Sequence, residues 1–147
     1  MSYKLLVMDI DGTLTNSQKK VTEKTKSSIL KIQQQGITVA IASGRPTPGI
    51  KAIADELELS RYGGFVLSYN GAKIINCQSN ESVYNSVLPQ ELLPEIYDFA
   101  VEHSLGIITY ENSGIVSGNK VNKYVELEAR ITGLPIKEVD NFAQYVD

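Results

Sequence analysis

Two carboxylates two residues apart, Asp9 and Asp11, close the apolar run Lys4 to Ile10 (KLLVMDI) and lead into Gly12-Thr13-Leu14-Thr15. In an extended segment such residues point the same way, and unpartnered like charges held that close raise each other's pKa. A hard divalent cation relieves the repulsion, and carboxylate and carbonyl oxygens with retained water suit Mg²⁺. Gly12 lets the backbone approach a ligand closely, and the amides of Gly12 and Thr13 can donate to phosphate oxygens. A second polar segment, Ser43-Gly44-Arg45-Pro46, ends another apolar run, Ile37 to Ala42. Arg45 there either pairs with phosphate or stands exposed in a strand-to-helix turn. Alone, Asp-x-Asp-Gly-Thr also describes a turn in which Asp makes Asx bonds and Gly takes a positive φ. Its place after one apolar run, together with the polar loop that ends the next, favours a site.

The elements that must hold these loops are legible from periodicity. Lys4 to Ile10 reads as a buried strand that delivers charge to a loop. Thr22 caps a helix bearing Ile29, Leu30 and Ile32 that stops at Gly36. Ile37 to Ala42 is the second strand. Thr47 and Pro48 open a helix with Ile50, Ile53, Ala54 and Leu57 on one face, and Phe65 to Ser68 is the third strand, followed by Tyr69-Asn70-Gly71. Parallel neighbours need right-handed crossovers, so this is a β-α-β-α-β half of a doubly wound, Rossmann-like α/β fold, with both helices on one face. Ligands of such sheets sit at the carboxyl ends of the strands, where Asp9 and Asp11 fall. The three strands are apolar at consecutive positions, so their second face also calls for cover.

Beyond Ser68 the style changes. Lys73 to Asn76 and Ser82 to Val87 read as a hairpin, and Pro89 to His103 as a helix that Pro94 kinks or delays. Gly106 to Tyr110 and Gly114 to Ser117 form a second hairpin around Glu111-Asn112-Ser113, and Asn122 to Thr132 a helix stopped by Gly133 and Pro135. The division falls near Val87, giving a first module over 1–85 and an α+β module over 86–147.

The chain has 147 residues, 42% of them hydrophobic, with 14 Lys and Arg against 17 Asp and Glu for a net charge of −3. Its pI near 5.2 and lack of a basic run argue against nucleic acid as the main partner. Apolar runs are too short for a membrane span or a signal peptide, so no membrane partner is expected. A single cysteine, Cys77, excludes an intramolecular disulfide and fits a cytoplasmic location.

With Asp9 to Thr15, Ser43-Gly44-Arg45-Pro46 and Tyr69-Asn70-Gly71-Ala72 in view, the sequence resembles the haloacid dehalogenase-like phosphohydrolases, and among them the Cof-type sugar and nucleotide phosphatases. The match is close over residues 4 to about 76 and looser over 86–147, which is similar to the first part of that subgroup's α/β cap. The resemblance implies a partial phosphatase core over 1–85 and a partial cap over 86–147. It implies that Asp9 takes the phosphoryl group and that Asp11 is general acid and then base. Gly12, Thr13, Ser43, Gly44 and Arg45 would bind phosphate. Mg²⁺ would be held by the Asp9 carboxylate and the Asp11 main-chain carbonyl, and the substrate would be a small phosphorylated metabolite. The family pattern continues with a Lys and an acidic segment that this sequence does not contain, so the chain reads as the N-terminal part of a larger enzyme. An outer edge and a face left bare then lead to self-association or to a C-terminal half as partner.

Several residues carry plainer expectations. Lys120 and Lys123 read as solvated charges, Asp140 and Asp147 as surface carboxylates, His103 as a helix-end residue. Cys77 lacks an adjacent base, so a catalytic thiol is not expected. Two other functions compete: a non-catalytic module that binds Mg²⁺ and phosphate or assembles with a partner, and an Asp-x-Asp glycosyltransferase. The last fits less well, because it does not need Gly-Thr-Leu-Thr after the acids.

Overall fold

The computed structural model describes residues 3–111 and 114–146. The chain divides into two compact units, Met1–Ser86 and Val87–Asp147. The expected hairpin turn at Asn112 and Ser113 and the expected surface carboxylate at Asp147 lie outside the described residues.

The first unit runs β1 (Leu5–Met8), α1 (Glu23–Gln34), β2 (Thr38–Ala42), α2 (Pro48–Glu56), α3 (Leu59–Tyr62), β3 (Phe65–Ser68), β4 (Lys73–Asn76) and β5 (Glu81–Asn85). Among the described residues the strands form one sheet in the order β1-β2-β3-β4-β5. β1, β2 and β3 are parallel, with Met8 opposite Ile41 and Ile41 opposite Val66. This is a partial doubly wound sheet, and the hairpin β4–β5 extends it antiparallel from β3.

Local chemistry explains the helix limits. Thr22 starts α1 by accepting a 3.2 Å bond from the Thr25 amide, and Gly36 follows its end at φ 82°, a conformation that costs glycine little. Thr47 differs from expectation: it precedes α2 without a side-chain cap bond. Its hydroxyl instead lies 2.7 Å from Ser68 Oγ, tying the start of α2 to the end of β3. α3 was not expected, being a single turn between left-handed Glu58 and Gly63 with no periodicity to read.

Both long helices cover one face of the sheet. Ile29, Ile50, Ala54 and Leu57 pack with Val39, Ile41 and Val66 in a core that also takes Ile10, Leu14 and Val21 from the loop after β1. The opposite face carries Leu5, Val7, Ala40, Phe65, Leu67 and Ile74, which the strand register brings side by side. Leu5 and Val7 there are about half exposed, at 54% and 50%. Among the described residues no strand pairs with the outer edge of β1, and the exposure of this face is greatest there, as the sequence expectation has it.

The second unit holds α4 (Leu93–Glu102), β6 (Ile108–Glu111), β7 (Gly114–Ser117), α5 (Lys123–Thr132), β8 (Ile136–Glu138) and α6 (Phe142–Val146). Pro94 sits in the first turn of α4, behind a 3₁₀ turn at Gln90–Leu92, so proline delays this helix rather than bending it. β7 is central, antiparallel to β6 and parallel to β8. Its Ile115, Val116 and Ser117 are buried, and so are Val125 of α5 and Phe142 of α6. Gly118 makes room for Phe142, since a Cβ there would lie 2.4 Å from the ring. β8 and α6 were not foreseen: three and five residues are too few to show a period.

Candidate active site

Asp9 follows the last residue of β1, so the acidic pair stands at the carboxyl end of a parallel strand. The chain then tightens. The Leu14 amide bonds Asp9 O at 3.2 Å and Ile10 O at 3.1 Å, and the Thr15 amide bonds Ile10 O at 3.0 Å. Thr15 Oγ1 donates to Ile10 O as well, at 2.9 Å and buried. With Ile10 and Leu14 packed into the core, the loop is pinned from below. Its upper residues Asp9, Gly12 and Thr13 are exposed.

The two carboxylates live in opposite surroundings. The Asp9 side chain makes no hydrogen bond or ion pair among the described residues. Asp11 is gripped by Arg45 from the loop after β2, with Nε 2.9 Å from Oδ2 and Nη2 2.9 Å from Oδ1. Lys19 Nζ adds a third contact to Oδ1 at 2.8 Å. Arg45 is the buried partner, its side chain 12% exposed against 60% for Lys19. The Arg45 hydrogen bonds, helped by Lys19 and opposed by partial burial, hold the Asp11 carboxyl down to about 2. A general acid needs the opposite shift, so the Arg45 and Lys19 contacts favour the basic form of Asp11.

Ser43 is buried at the end of β2. Its amide donates to Leu67 O at 2.9 Å, and its hydroxyl accepts from the Arg45 amide at 3.2 Å. The segment after β3 clips this loop in place: the Asn70 amide donates to Ser43 O and the Tyr69 amide to Arg45 O, both at 3.1 Å. Tyr69, Asn70 and Gly71 all have positive φ, at 53°, 56° and 91°. Gly44 is exposed against Asn70, whose Oδ1 would lie 3.1 Å from any Cβ added there.

The structure therefore brings Asp11, Ser43 and Arg45 into one hydrogen-bonded group. Asp9, Gly12, Thr13 and Gly44 stand open on the adjoining loops, and among the described residues neither the Asp9 nor the Thr13 side chain bonds to that group. Of the two readings of Arg45, the exposed turn residue does not hold. Sequence reasoning missed Lys19, whose only signal is its place in the polar stretch Asn16-Ser17-Gln18-Lys19-Lys20. Asn70, which by sequence fixes either the loop beside the site or only its own turn, donates its amide to Ser43 O.

The donor set suits a hard cation that retains water. Asp9 offers an unpaired carboxylate and Asp11 its main-chain carbonyl, whereas the Asp11 side chain is taken by Arg45 and Lys19. No group of three His, Cys, Asp or Glu side chains able to hold a metal occurs among the described residues. Other candidates behave plainly. Burial pushes the half-buried Cys77 thiol up, with Asp55 adding to the effect. His103 stacks on Phe99 and places Nδ1 3.0 Å from Phe99 O. Lys120 and Asp140 are exposed, and Lys123 lies over the Tyr124 ring.

The acidic pair at the end of the first parallel strand and the Arg-Ser loop at the end of the second place this group where α/β sheets bind their ligands. The family model for haloacid dehalogenase-like hydrolases matches residues 6–147, and the chain belongs to that family. It is 30% identical over 135 residues to "Putative phosphatase YxeH" of Bacillus subtilis (strain 168), covering 91% of this chain and 50% of that protein. It is also similar to a haloacid dehalogenase-like hydrolase from Bacteroides thetaiotaomicron, at 45% identity and a TM-score of 0.92, covering 97% of this chain and 54% of that one. A sugar phosphatase of subclass IIB shares the fold at 24% identity and a TM-score of 0.71, over 92% of this chain and 52% of that one. The chain thus spans about half the length of the relatives it matches. No helix among the described residues is long and apolar enough to cross a membrane.

Proposed function

We propose that this chain carries the nucleophile half of a Mg²⁺-dependent phosphatase acting on small phosphorylated metabolites, sugar phosphates or nucleotide-like esters, in the cytoplasm. The observation that supports it most is the contrast within the acidic pair. Asp9 is free to attack, and Asp11, two residues on, is held by an arginine from the neighbouring loop.

In this reading Asp9 attacks phosphorus and the bond to the leaving oxygen breaks, giving an aspartyl phosphate. Asp11 protonates the leaving oxygen, then takes a proton from the water that hydrolyses the acyl phosphate. The form of Asp11 held by Arg45 and Lys19 suits the second half of the cycle; the acid step requires the Arg45 bonds to loosen. Ser43, Gly44 and Arg45 would meet the phosphoryl oxygens from one side, Gly12 and Thr13 from the other. Mg²⁺, bound by the Asp9 carboxylate and the Asp11 carbonyl, would offset the like charge of nucleophile and phosphate. Sugar phosphates enter because a subclass IIB sugar phosphatase shares the fold.

A second reading, a non-catalytic module that binds Mg²⁺ and phosphate, is favoured by one observation: Asp11 is held in its basic form. Turnover of p-nitrophenyl phosphate with and without Mg²⁺ separates the two. Mg²⁺-dependent turnover abolished by Asp9→Asn supports the phosphatase; metal and phosphate binding without turnover supports the module. Hydrolysis of a UDP-sugar instead would point to glycosyl transfer. The bare face of the sheet supports association with a second copy of this chain or with a C-terminal half.

A further inference from the structure

We propose that Lys19 is an anion-contact residue of this site, moving from Asp11 to an oxygen of a bound phosphate; the inference rests on the phosphatase reading above and deepens it. Three observations carry it. The first is that the two cations on Asp11 are not equivalent. Arg45 is 12% exposed and bidentate, and it reaches Gly49 O as well, at 3.4 Å. Lys19 is 60% exposed and makes one side-chain contact among the described residues, the one to Asp11. An exposed single ion pair is worth little, so Lys19 can change partners at smaller cost than the buried, bidentate Arg45.

Next, the chain is shaped to present this ammonium. Lys19 has φ 60°, a conformation that side-chain-bearing residues rarely adopt. It is held there by a closed turn. Asn16 Oδ1 accepts from the Gln18 amide at 2.9 Å and the Lys20 amide at 3.0 Å. The Lys19 amide donates to Asn16 O, and the Asn16 amide to Lys20 O, both at 2.9 Å. On either side of the turn Thr15 and Val21 are buried. A lysine that merely decorated the surface would not need this framework.

The last observation is charge. Asp9 and Asp11 are balanced by Arg45 and Lys19 when nothing is bound. Without Lys19 the group is left negative, which disfavours a phosphate dianion beside the open Asp9. With Lys19 present and a divalent cation added, the site matches a dianion in magnitude. Lysine serves such a role as a point charge rather than through a fixed fork.

The test measures two probes on the 147-residue chain, inorganic phosphate in the presence of Mg²⁺, by calorimetry, and Mn²⁺ alone, by electron paramagnetic resonance. Lys19→Met should weaken phosphate by about tenfold, the loss of one charge-assisted contact discounted for exposure. The same variant should bind Mn²⁺ roughly two- to fivefold more tightly, because a screened repulsive charge has gone. Lys19→Arg should keep phosphate affinity within about threefold of the parent. Opposite signs for the two probes are what a merely structural lysine would not produce. Weakening of both probes, or unchanged phosphate affinity in Lys19→Met, overturns the proposal while leaving the phosphatase reading intact. If the parent binds neither probe, or Asp9→Asn leaves Mn²⁺ binding as it was, the reading of the site falls, and the role of Lys19 with it.

Discussion

The unit Met1–Ser86 and the unit Val87–Asp147 use long-range polar contacts differently. In the first, groups far apart in sequence converge on one carboxylate: Arg45, 34 residues from Asp11, gives it two bonds, and Lys19 a third. In the second, the Tyr145 hydroxyl at the surface donates to Glu111 at 2.6 Å and accepts from Lys137 at 2.7 Å, and the half-buried Tyr110 donates to Glu128 at 2.8 Å. That unit's sharpest demand is steric, the fit of Phe142 over Gly118. The first unit gathers its charged contacts on one carboxylate, and the second has its tightest fit at a ring over a glycine, so substitutions at these two places should do different damage.

The largest effect is expected at Asp9. Asp9→Asn should abolish any phosphoryl-enzyme label trapped by acid quench from a radiolabelled phosphate ester, because an amide cannot form the acyl phosphate. A label on Ser43 with Asp9 unmodified would reverse the assignment. The contrast with the second unit is sharpened by Gly118→Ala, expected to cost about 1–3 kcal/mol through overpacking against Phe142. Urea unfolding should show this loss, while Mn²⁺ binding by the first unit is unchanged; a loss of Mn²⁺ binding would break the comparison.

Third comes the pH response of the Asp11 cluster. The folded carboxyl sits at about 2, below its ordinary 3.8, so the unfolded chain takes up its proton first on acidification. The stabilisation is complete above pH 4 or so and is lost as pH falls through about 2. In Arg45→Met the Asp11 carboxyl should titrate nearer its ordinary value by carbon NMR, and the acid loss of stability should flatten between pH 4 and 2. Persistence of the low value in that variant would shift the credit to Lys19.

The smallest effect on folding is expected on the bare sheet face. Leu5→Lys and Val7→Lys change exposed positions and should alter stability by no more than about 0.5 kcal/mol. They should nonetheless reduce concentration-dependent association measured by light scattering, since an exposed apolar face and open edge recruit other chains. A parent chain that stays monomeric at all concentrations refutes that reading.

Much of this was written in the sequence where signals are local and periodic. The three parallel strands, the Thr22 cap and the Asp9-to-Thr15 and Ser43-to-Pro46 loops follow from apolar runs ended by polar residues. What escaped was of two kinds. α3, β8 and α6 are too short to show a period, and their limits come from packing. The roles of Thr47 and Lys19 depend on side-chain partners, 21 and 8 residues away, that follow no helical or strand period: Thr47 had every local mark of a helix cap, yet its hydroxyl meets Ser68. The lowered Asp11 carboxyl was not foreseen for the same reason. Like-charge repulsion from Asp9 could be read from spacing, whereas the Arg45 and Lys19 contacts could not.

The run of left-handed residues at Tyr69, Asn70 and Gly71 sets how freely this stretch can vary. Left-handed backbone costs an ordinary residue roughly 1–2 kcal/mol, asparagine less, and glycine almost nothing. The costs at Tyr69 and Asn70 are offset by their amide bonds to the Ser43 loop, but Gly71 has no such bond to the loop. A saturation library across the three positions should accordingly accept little beyond Gly, Asn and Asp at 71, fewer β-branched residues than average at 70, and the broadest set at the solvent-exposed β5 positions used as an internal reference. That ranking of allowed alphabets would report the backbone geometry of the loop without any measurement of its chemistry.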